Sequence, residues 1–169
     1  VSLWYYSDQN PNDIFFKFFE TSNTSNGFLN FTLQKHPNVP RLQFYGKSQN
    51  LPAEADLVKA SLFPTYANSW NHVVASWDQN YIRLYLNGKL IDEKITPKDF
   101  PKTFEEKERL YLLSSKRNNS PYSGNANIKI DLLKTFDQVL PSDDVQELYN
   151  EGVTNFGPSI RADNLELQL

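Results

Sequence analysis

The stretch of this chain that most constrains its fold runs from Trp70 to Lys94, WNHVVASWDQNYIRLYLNGKLIDEK. It contains three segments of β-strand character: the nearly unbroken apolar run HVVASW, then YIRLYL, then KLIDEK. The turn residues Asp78-Gln79-Asn80 separate the first two segments, and Asn87-Gly88 separates the last two. Asn-Gly is typical of type I′ hairpin turns, because both central positions of that turn need positive φ. The stretch therefore predicts three consecutive antiparallel strands.

Most of the remaining chain consists of short strand-like segments separated by turn residues. These segments are VSLWYYS, DIFFKFFE, FLNFTLQ, RLQFYG, ASLFPTY, RLYLLSS, NIKIDLLKTF and the period-2 end of RADNLELQL. Residues 47–59 are the least regular part, and AEADLV within them could form one helical turn or a long connection. About ten short strands without strand–helix alternation predict an all-β fold, an antiparallel two-sheet sandwich or jelly roll.

One segment, PSDDVQELYNEG, predicts a short helix near residues 142–150. Ser142 is placed to cap it, and Asp143 and Asp144 in its first turn interact favourably with the helix dipole. Gly152 is expected to end it. The residues at helical spacing that should form its buried stripe are Val145, Leu148 and Tyr149.

Composition restricts the classes of function. The 169 residues suit one domain, 1–169, with 39% hydrophobic and 22% charged residues as in ordinary globular proteins. A net charge of −3 argues against a nucleic-acid partner held by phosphate contacts. No apolar run approaches the ~20 residues needed to cross a bilayer, so membrane insertion is not expected. The chain starts at Val1 and contains no Met, so we expect a processed chain or part of a longer one. It contains no Cys, which removes disulfide and thiolate chemistry.

The central stretch resembles a segment of laminin-G-like and concanavalin-A-like jelly rolls, the lectin-glucanase superfamily. Its pattern is similar to W-x-H-V-A-x-(T/S)-(W/Y)-D-x-x-x-(I/L)-x-L-Y-(V/L)-(N/D)-G-x-L, and IDLLKTFDQVLPSDDVQELYNEG is similar to the closing segment of that family. VSLWYYS resembles its (F/V)-S-x-W strand. The resemblance implies a jelly-roll recognition domain, with adhesion and carbohydrate binding among the functions that the fold supports.

Three departures accompany the resemblance. Ile128 occupies a position where related domains often carry Gly, and neither the glycine-containing calcium loop nor the opening strand of the family precedes Val1. The missing strand leaves a place that NLELQL or another polypeptide could fill. Our hypothesis is that Leu165–Leu169 pairs within the sandwich near the N-terminal strand.

Catalytic patterns are weak. Glycoside hydrolases of this fold use an E-x-D-x-x-E strand, and the nearest match, Glu54-Ala55-Asp56, lacks the third carboxylate. The chain has no Cys and no G-x-S-x-G elbow. His72 falls on the structural histidine of the family pattern, and His36 lies before Pro37 in a turn. We therefore expect no enzymatic activity.

Two loops combine aromatic and polar residues in the way that sugar recognition requires, since aromatic faces stack on sugars and amides bond their hydroxyls. The candidate ligand-binding residues in them are Tyr66, Asn68, Arg117, Asn118 and Tyr122. The three tryptophans, which lie in apolar strands, are expected in the core: Trp4, Trp70 and Trp77.

Calcium is the one cofactor that the resemblance suggests, with Asp131 as its best ligand. Other aspartates that could supply hard oxygen ligands are Asp78, Asp137, Asp143 and Asp144. Helix capping and turn formation account equally well for most of them.

The leading hypothesis is a non-catalytic recognition or adhesion module on an extracellular, secreted or surface-exposed protein, including a virion surface, that binds glycan or protein through loops or the concave sheet. The alternative is a structural domain of a larger assembly, in which a neighbouring domain or subunit completes a sheet edge. The glycosylation acceptors Asn23, Asn30 and Asn118 agree with secretion but are common in chains of this composition.

Overall fold

The structure, a computed structural model, describes residues 1–7, 15–21, 28–36, 39–47, 57–61, 68–96, 110–112 and 128–156. In chain order these residues form the strands and the helix that follow: β1 (Ser2–Ser7), β2 (Phe15–Thr21), β3 (Phe28–His36), β4 (Val39–Lys47), β5 (Leu57–Ser61), β6 (Ser69–Trp77), β7 (Tyr81–Leu86), β8 (Lys89–Ile95), β9 (Leu110–Leu112), β10 (Ile128–Lys134) and α1 (Ser142–Phe156).

The strands are arranged in two five-stranded sheets. Sheet A has the order β10-β1-β6-β7-β8, and sheet B has the order β5-β4-β3-β2-β9. Every strand pairing between described residues is antiparallel. The predicted all-β sandwich with one helix near its end is confirmed.

The predicted meander forms β6, β7 and β8 of sheet A. Asn87 and Gly88 have φ values of 49° and 80°, as a type I′ turn requires. The Asn87 side chain adds a second function, because its Oδ1 accepts a hydrogen bond from the His72 backbone N–H at 2.8 Å. The Asn87 N–H donates to the His72 carbonyl at 2.8 Å. The turn therefore joins the β7–β8 hairpin to β6.

Replacing Gly88 with alanine is expected to destabilise the fold by about 1–2 kcal/mol, since a Cβ is unfavourable at φ 80°. A Cβ here would also meet the Gln146 side chain, whose Oε1 lies 2.8 Å away. Urea denaturation in a Gln146→Ala background separates the two causes. If backbone strain is the cause, the loss of stability persists in this background. If the loss disappears, crowding against the Gln146 side chain is the whole cause.

The core between the sheets comes from one face of sheet A. Leu3 pairs directly with Val73, and both are fully buried. Alternation along β6 puts Trp77 on the same face, where its ring packs against Phe44 of β4 at a centroid distance of 5.0 Å. Helix α1 covers the opposite face of β6, so both faces of this strand are buried. This explains why HVVASW is apolar at nearly every position.

Helix α1 covers the opposite face of sheet A. One cluster joins Val74 and Tyr85 to Leu140 and Val145, with Leu148 packed against it. A second cluster is centred on Trp4, which is 1% exposed and stacks on Tyr149 at 5.6 Å between ring centroids. The predicted stripe of Val145, Leu148 and Tyr149 is thus the face that α1 buries.

The prediction that Gly152 ends the helix is wrong, because α1 continues to Phe156. Gly152 is buried within the helix, and a Cβ built on it would overlap the indole ring of Trp4. The glycine is needed for close approach to that ring rather than for a left-handed C-terminal conformation. The first helical hydrogen bond runs from Val145 N–H to the Pro141 carbonyl, so Ser142 lies inside the helix and not in the capping position before it.

The strand predicted at residues 60–66 differs from the structure, which has β5 at Leu57–Ser61. Leu57 and Val58 therefore belong to a strand and not to a helical turn. The hypothesis that Leu165–Leu169 forms a strand stays untested, because those residues lie outside the described ranges. Within the part that is described, no helix has the length and apolar character needed to cross a bilayer.

Candidate functional site

The register of sheet A brings a polar and aromatic row together at one end of the sheet. Tyr6 on β1 pairs with Lys129 on β10 at one side and with Trp70 on β6 at the other. Lys129 Nζ lies 5.3 Å from the centroid of the Tyr6 ring, a cation–π contact, and the Tyr6 and Trp70 centroids are 5.8 Å apart. We call Lys129, Tyr6, Trp70 and the adjoining Phe156 the aromatic row.

Helix α1 contributes the last member of this row. Phe156 at its end stacks on Trp70 with 4.3 Å between centroids and an interplanar angle of 15°. Tyr6, Trp70 and Phe156 are each half-buried, so each residue retains some surface open to solvent. The extension of α1 past Gly152 is what places Phe156 there.

The charges beside the row differ in how they are used. Lys134 on β10 is paired with Glu151 of α1 at 2.6 Å between Nζ and Oε2. Lys129 is exposed and forms no ion pair with any residue that the structure describes. Its ammonium group is therefore available to an incoming polar ligand.

Of the five predicted ligand-binding residues, Asn68 is the one that the structure describes. It is exposed, has φ 58°, and precedes Ser69, which pairs with Ser7 at the same sheet end. Its amide makes no hydrogen bond with a described residue. The predicted residues outside the described ranges are Tyr66, Arg117, Asn118 and Tyr122.

The chain nevertheless connects both predicted loops to this sheet end. Residues 62–67 lead into Asn68, and residues 113–127 lead into Ile128, which pairs with Ser7 from the side opposite Ser69. Two neighbouring strand spacings, about 10 Å in total, separate these two entry points. The sequence pattern identified the two loops separately. The strand order brings Asn68 and Ile128, the residues that directly follow them, to the same end of sheet A.

Sequence reasoning missed the aromatic row itself. It assigned Trp4, Trp70 and Trp77 to the core, and only Trp4 is fully buried, while Trp70 and Trp77 are half-buried. The relevant signal is the pairing of Tyr6 with both Lys129 and Trp70, which depends on register between strands far apart in the chain. Neither composition nor periodicity contains that information.

His72 lies beside the row, two residues from Trp70 on the same face of β6, and has a structural role. Its Nε2 is 2.8 Å from Ser2 Oγ, and its ring stacks on Trp4 with 5.1 Å between centroids. Burial, with a smaller contribution from the positive charge of Lys134, lowers the pKa of His72 to about 3. The ring is therefore neutral at physiological pH, in agreement with the structural role predicted for it.

Asp78 holds the β6–β7 turn. Its Oδ1 accepts hydrogen bonds from the Asn80 and Tyr81 N–H groups at 2.5 and 2.7 Å, and its Oδ2 lies 3.4 Å from Arg83 Nη1. Desolvation alone would raise the pKa of Asp78, but these hydrogen bonds and the Arg83 charge outweigh it and lower the pKa. The carboxylate is already satisfied by the turn.

The predicted calcium ligand Asp131 lies at a β-bulge between β1 and β10. It is exposed, and its Oδ1 accepts a hydrogen bond from the N–H of Leu132, which has φ 47°. In the described ranges no three His, Asp or Glu side chains gather closely enough to hold a metal ion. Calcium binding at Asp131 stays a prediction.

Comparison with known families gives a match over most of the chain. A laminin-G-type family model, described as the concanavalin A-like lectin/glucanases superfamily, matches residues 1–146. Among curated proteins, none has significant sequence similarity to this chain.

Several solved structures share the fold at low sequence identity. The binding domain of botulinum neurotoxin DC, in complex with rat synaptotagmin II, matches with a TM-score of 0.59 and 16% identity over 89% of this chain. A structure of botulinum neurotoxin type C, whose cell entry depends on interaction with two ganglioside molecules, matches with a TM-score of 0.57 and 18% identity over 89%. The chain spans only 35% and 34% of those two proteins.

Proposed function

Because this chain belongs to the concanavalin A-like lectin/glucanases superfamily, we propose that it is a non-catalytic recognition module that binds a glycan at the aromatic row. The observation that carries the proposal is the alignment of Lys129, Tyr6 and Trp70 across three neighbouring strands beside the exposed Asn68. A protein partner at the same surface is the alternative that an absence of glycan binding would favour. The proposal places the module on an extracellular or otherwise surface-exposed protein.

The chemistry of the row suits a sugar. Tyr6 and Trp70 are half-buried aromatic residues, and the ring surface that Lys129 and Phe156 leave uncovered can pack against the C–H face of a pyranose. The Lys129 ammonium and the Asn68 amide offer donors and an acceptor for its hydroxyls. The row is flanked on the same face of sheet A by the stacked Trp4 and His72 rings, and Trp70 and Phe156 pack against the Trp4 cluster, which fixes the shape of the row before a ligand arrives. Preorganisation of this kind reduces the entropy that binding must overcome.

A non-catalytic role agrees with the titratable groups. Glycoside hydrolysis needs two carboxylates on either side of the scissile bond. Asp78 is committed to its turn, and the buried His72, with a pKa near 3, is a poor general base at neutral pH. The fold that this chain shares with the botulinum neurotoxin binding domain in complex with synaptotagmin II, and with the neurotoxin type C that interacts with gangliosides, also supports a recognition role.

A glycan array probed with the purified chain, with and without calcium, tests the proposal. We expect a restricted set of glycans to be bound and none to be cleaved when the reaction mixtures are assayed for released reducing ends. Binding that requires calcium would support the Asp131 prediction. An array with no bound glycan in either condition, or with released product, would contradict the proposal.

Replacing Lys129 with glutamine is expected to weaken glycan binding by roughly 10- to 100-fold, because a hydrogen bond with a charged donor contributes about 1.5–3 kcal/mol. The matched control is Lys89→Gln, an exposed lysine on β8 that lies outside the row. Affinities from biolayer interferometry should be unchanged in the control. Equal affinities for the two variants would remove Lys129 from the site.

The edge of sheet A favours a second candidate function, assembly with a neighbouring chain. β8 is the last strand of the described sheet, and it carries Leu90 and Ile95, which are 48% and 78% exposed. Exposed apolar residues on an edge strand suit strand addition by a partner. Analytical ultracentrifugation tests this candidate. Assembly predicts oligomers that Ile95→Lys dissociates, and a monomer at all concentrations would contradict self-assembly.

A further inference from the structure

Strand β10 contains a β-bulge opposite β1, and Asp131 borders it. Trp4 of β1 pairs with Asp131. Ser2, two residues before Trp4, pairs with Lys134, three residues after Asp131. Between these two pairs β1 has one residue and β10 has two, so the bulge adds one residue to β10. Because side chains alternate between the faces of a strand, the extra residue changes which residues of β10 share a face.

The bulge puts two lysines on the same face of sheet A. Lys134, on one side of the bulge, forms its ion pair with Glu151 of α1. Lys129, on the other side, lies over the ring of Tyr6 in the aromatic row. The two lysines are five residues apart, and in a regular strand an odd separation places side chains on opposite faces. A regular strand of this sequence would therefore keep one of the two contacts and lose the other.

The backbone of the bulge depends on Asp131 and Leu132. Leu132 has φ 47°, a left-handed conformation that is unfavourable for a residue with a Cβ. Its N–H donates a hydrogen bond to Asp131 Oδ1 at 2.7 Å. A bulge leaves its extra residue unpaired in the ladder, and the Asp131 carboxylate supplies a partner for the backbone here. Leu132 also packs against the Trp4 cluster, which is a second support for the bulge.

We propose that Asp131 is a positioning residue of the glycan site, because it holds the bulge that keeps Lys129 on the face of the aromatic row. The proposal rests on the proposed function, since Lys129 contributes to binding only if a glycan is bound at the row. Asp131 acts through the β10 backbone and not by contact with the glycan. This role differs from that of a calcium ligand, and experiment separates the two.

The position of Lys129 is measurable without a glycan. Lys129 Nζ lies 5.3 Å from the centroid of the Tyr6 ring, so the ring current should shift the neighbouring side-chain CH₂ signals of Lys129 upfield in the nuclear magnetic resonance spectrum. Asp131→Ala should reduce this upfield shift. Asp131→Asn should retain it, since an amide oxygen still accepts the Leu132 N–H. Asp137→Ala, at an exposed aspartate after β10, is the matched control, and a calcium chelator in the sample removes any contribution from metal.

Substitutions of Leu132 separate its backbone conformation from its packing. Glycine adopts φ 47° without a steric penalty, whereas valine is β-branched and strongly disfavours it. Valine, however, retains more of the side chain that packs against the Trp4 cluster. If the bulge positions Lys129, Leu132→Gly keeps the upfield shift and Leu132→Val loses it. The reverse order of the two variants would assign the effect to packing and overturn the proposal.

Glycan-array titrations connect the bulge to binding. Asp131→Ala should weaken binding by part of the roughly 10- to 100-fold loss expected of Lys129→Gln, and Asp131→Asn should bind as the parent does. In the Lys129→Gln background, Asp131→Ala should change affinity by no more than about twofold, because it acts through that lysine.

Three further results would overturn the proposal. The first is an unchanged upfield shift of Lys129 in Asp131→Ala. The second is additive losses of affinity in the double variant. The third is an effect of Asp131→Ala that is seen only when calcium is present, which would make Asp131 a metal ligand. An array without any bound glycan would contradict the proposed function, whereas the glycan-free spectra would still decide whether Asp131 positions Lys129.

Discussion

Replacing Gly152 with alanine is expected to destabilise the fold by about 3 kcal/mol, although alanine is the better helix former by about 1 kcal/mol. The reason is steric, since a Cβ at this position would overlap the indole of Trp4, which α1 packs against. Thermal unfolding should show a melting temperature roughly 6–12 °C lower. The control is Asn150→Ala at an exposed position of the same helix, which should change stability little.

A double-mutant cycle identifies the partner in this effect. Trp4→Phe alone should also destabilise, because Trp4 is 1% exposed and contacts His72, Tyr149 and Phe156. A phenyl ring is smaller than an indole and leaves room for the added methyl group. The loss caused by Gly152→Ala should therefore be smaller in the Trp4→Phe background. Strictly additive losses would show that the glycine acts through something other than this contact.

Acidification from pH 7 to pH 4.5 is expected to cost about 2–3 kcal/mol of stability through His72 alone. Its pKa is about 3 in the folded protein, against the ordinary histidine pKa of 6.5, which the unfolded chain approaches. Below pH 6.5 the unfolded chain takes up a proton that the folded ring does not bind. Stability is therefore fully present above pH 6.5 and declines until about pH 3.

Urea denaturation at several pH values measures this loss, in a His36→Gln background so that one histidine remains. His72→Gln should lower stability at pH 7, because the stacking on Trp4 is lost, but should flatten the dependence between pH 7 and 4.5. Desolvation of the ring by Trp4 and the surrounding strands is the larger cause of the lowered pKa, and Lys134 is the smaller. Parallel pH profiles for the two proteins would contradict a buried, neutral His72.

The features that sequence reasoning predicted are those that depend on neighbouring residues. Asn87-Gly88 forms the expected turn because the positive φ of both residues is a local requirement. The stripe of Val145, Leu148 and Tyr149 was predicted for the same kind of reason, since helical periodicity is a property of one segment. The fold class followed from many such local signals with one consistent pattern.

The features that were missed depend on contacts between distant segments. Gly152 has the local signature of a helix end, and only the Trp4 ring from β1 explains why it lies inside α1. The site shows the same limit. Asn68 was identified from its local composition, whereas the row of Lys129, Tyr6 and Trp70 exists only because β1 lies between β10 and β6.

Isothermal titration of an array-identified glycan against two tryptophan variants tests the central claim most directly. Trp70 and Trp77 are both half-buried residues of β6, one in the aromatic row and one at the opposite end of the strand. Glycan recognition at the row predicts that Trp70→Leu weakens binding by about 10-fold or more while Trp77→Leu leaves it unchanged. Circular dichroism should show that both variants are folded. Unchanged binding in Trp70→Leu, or a loss only in Trp77→Leu, would contradict the claim.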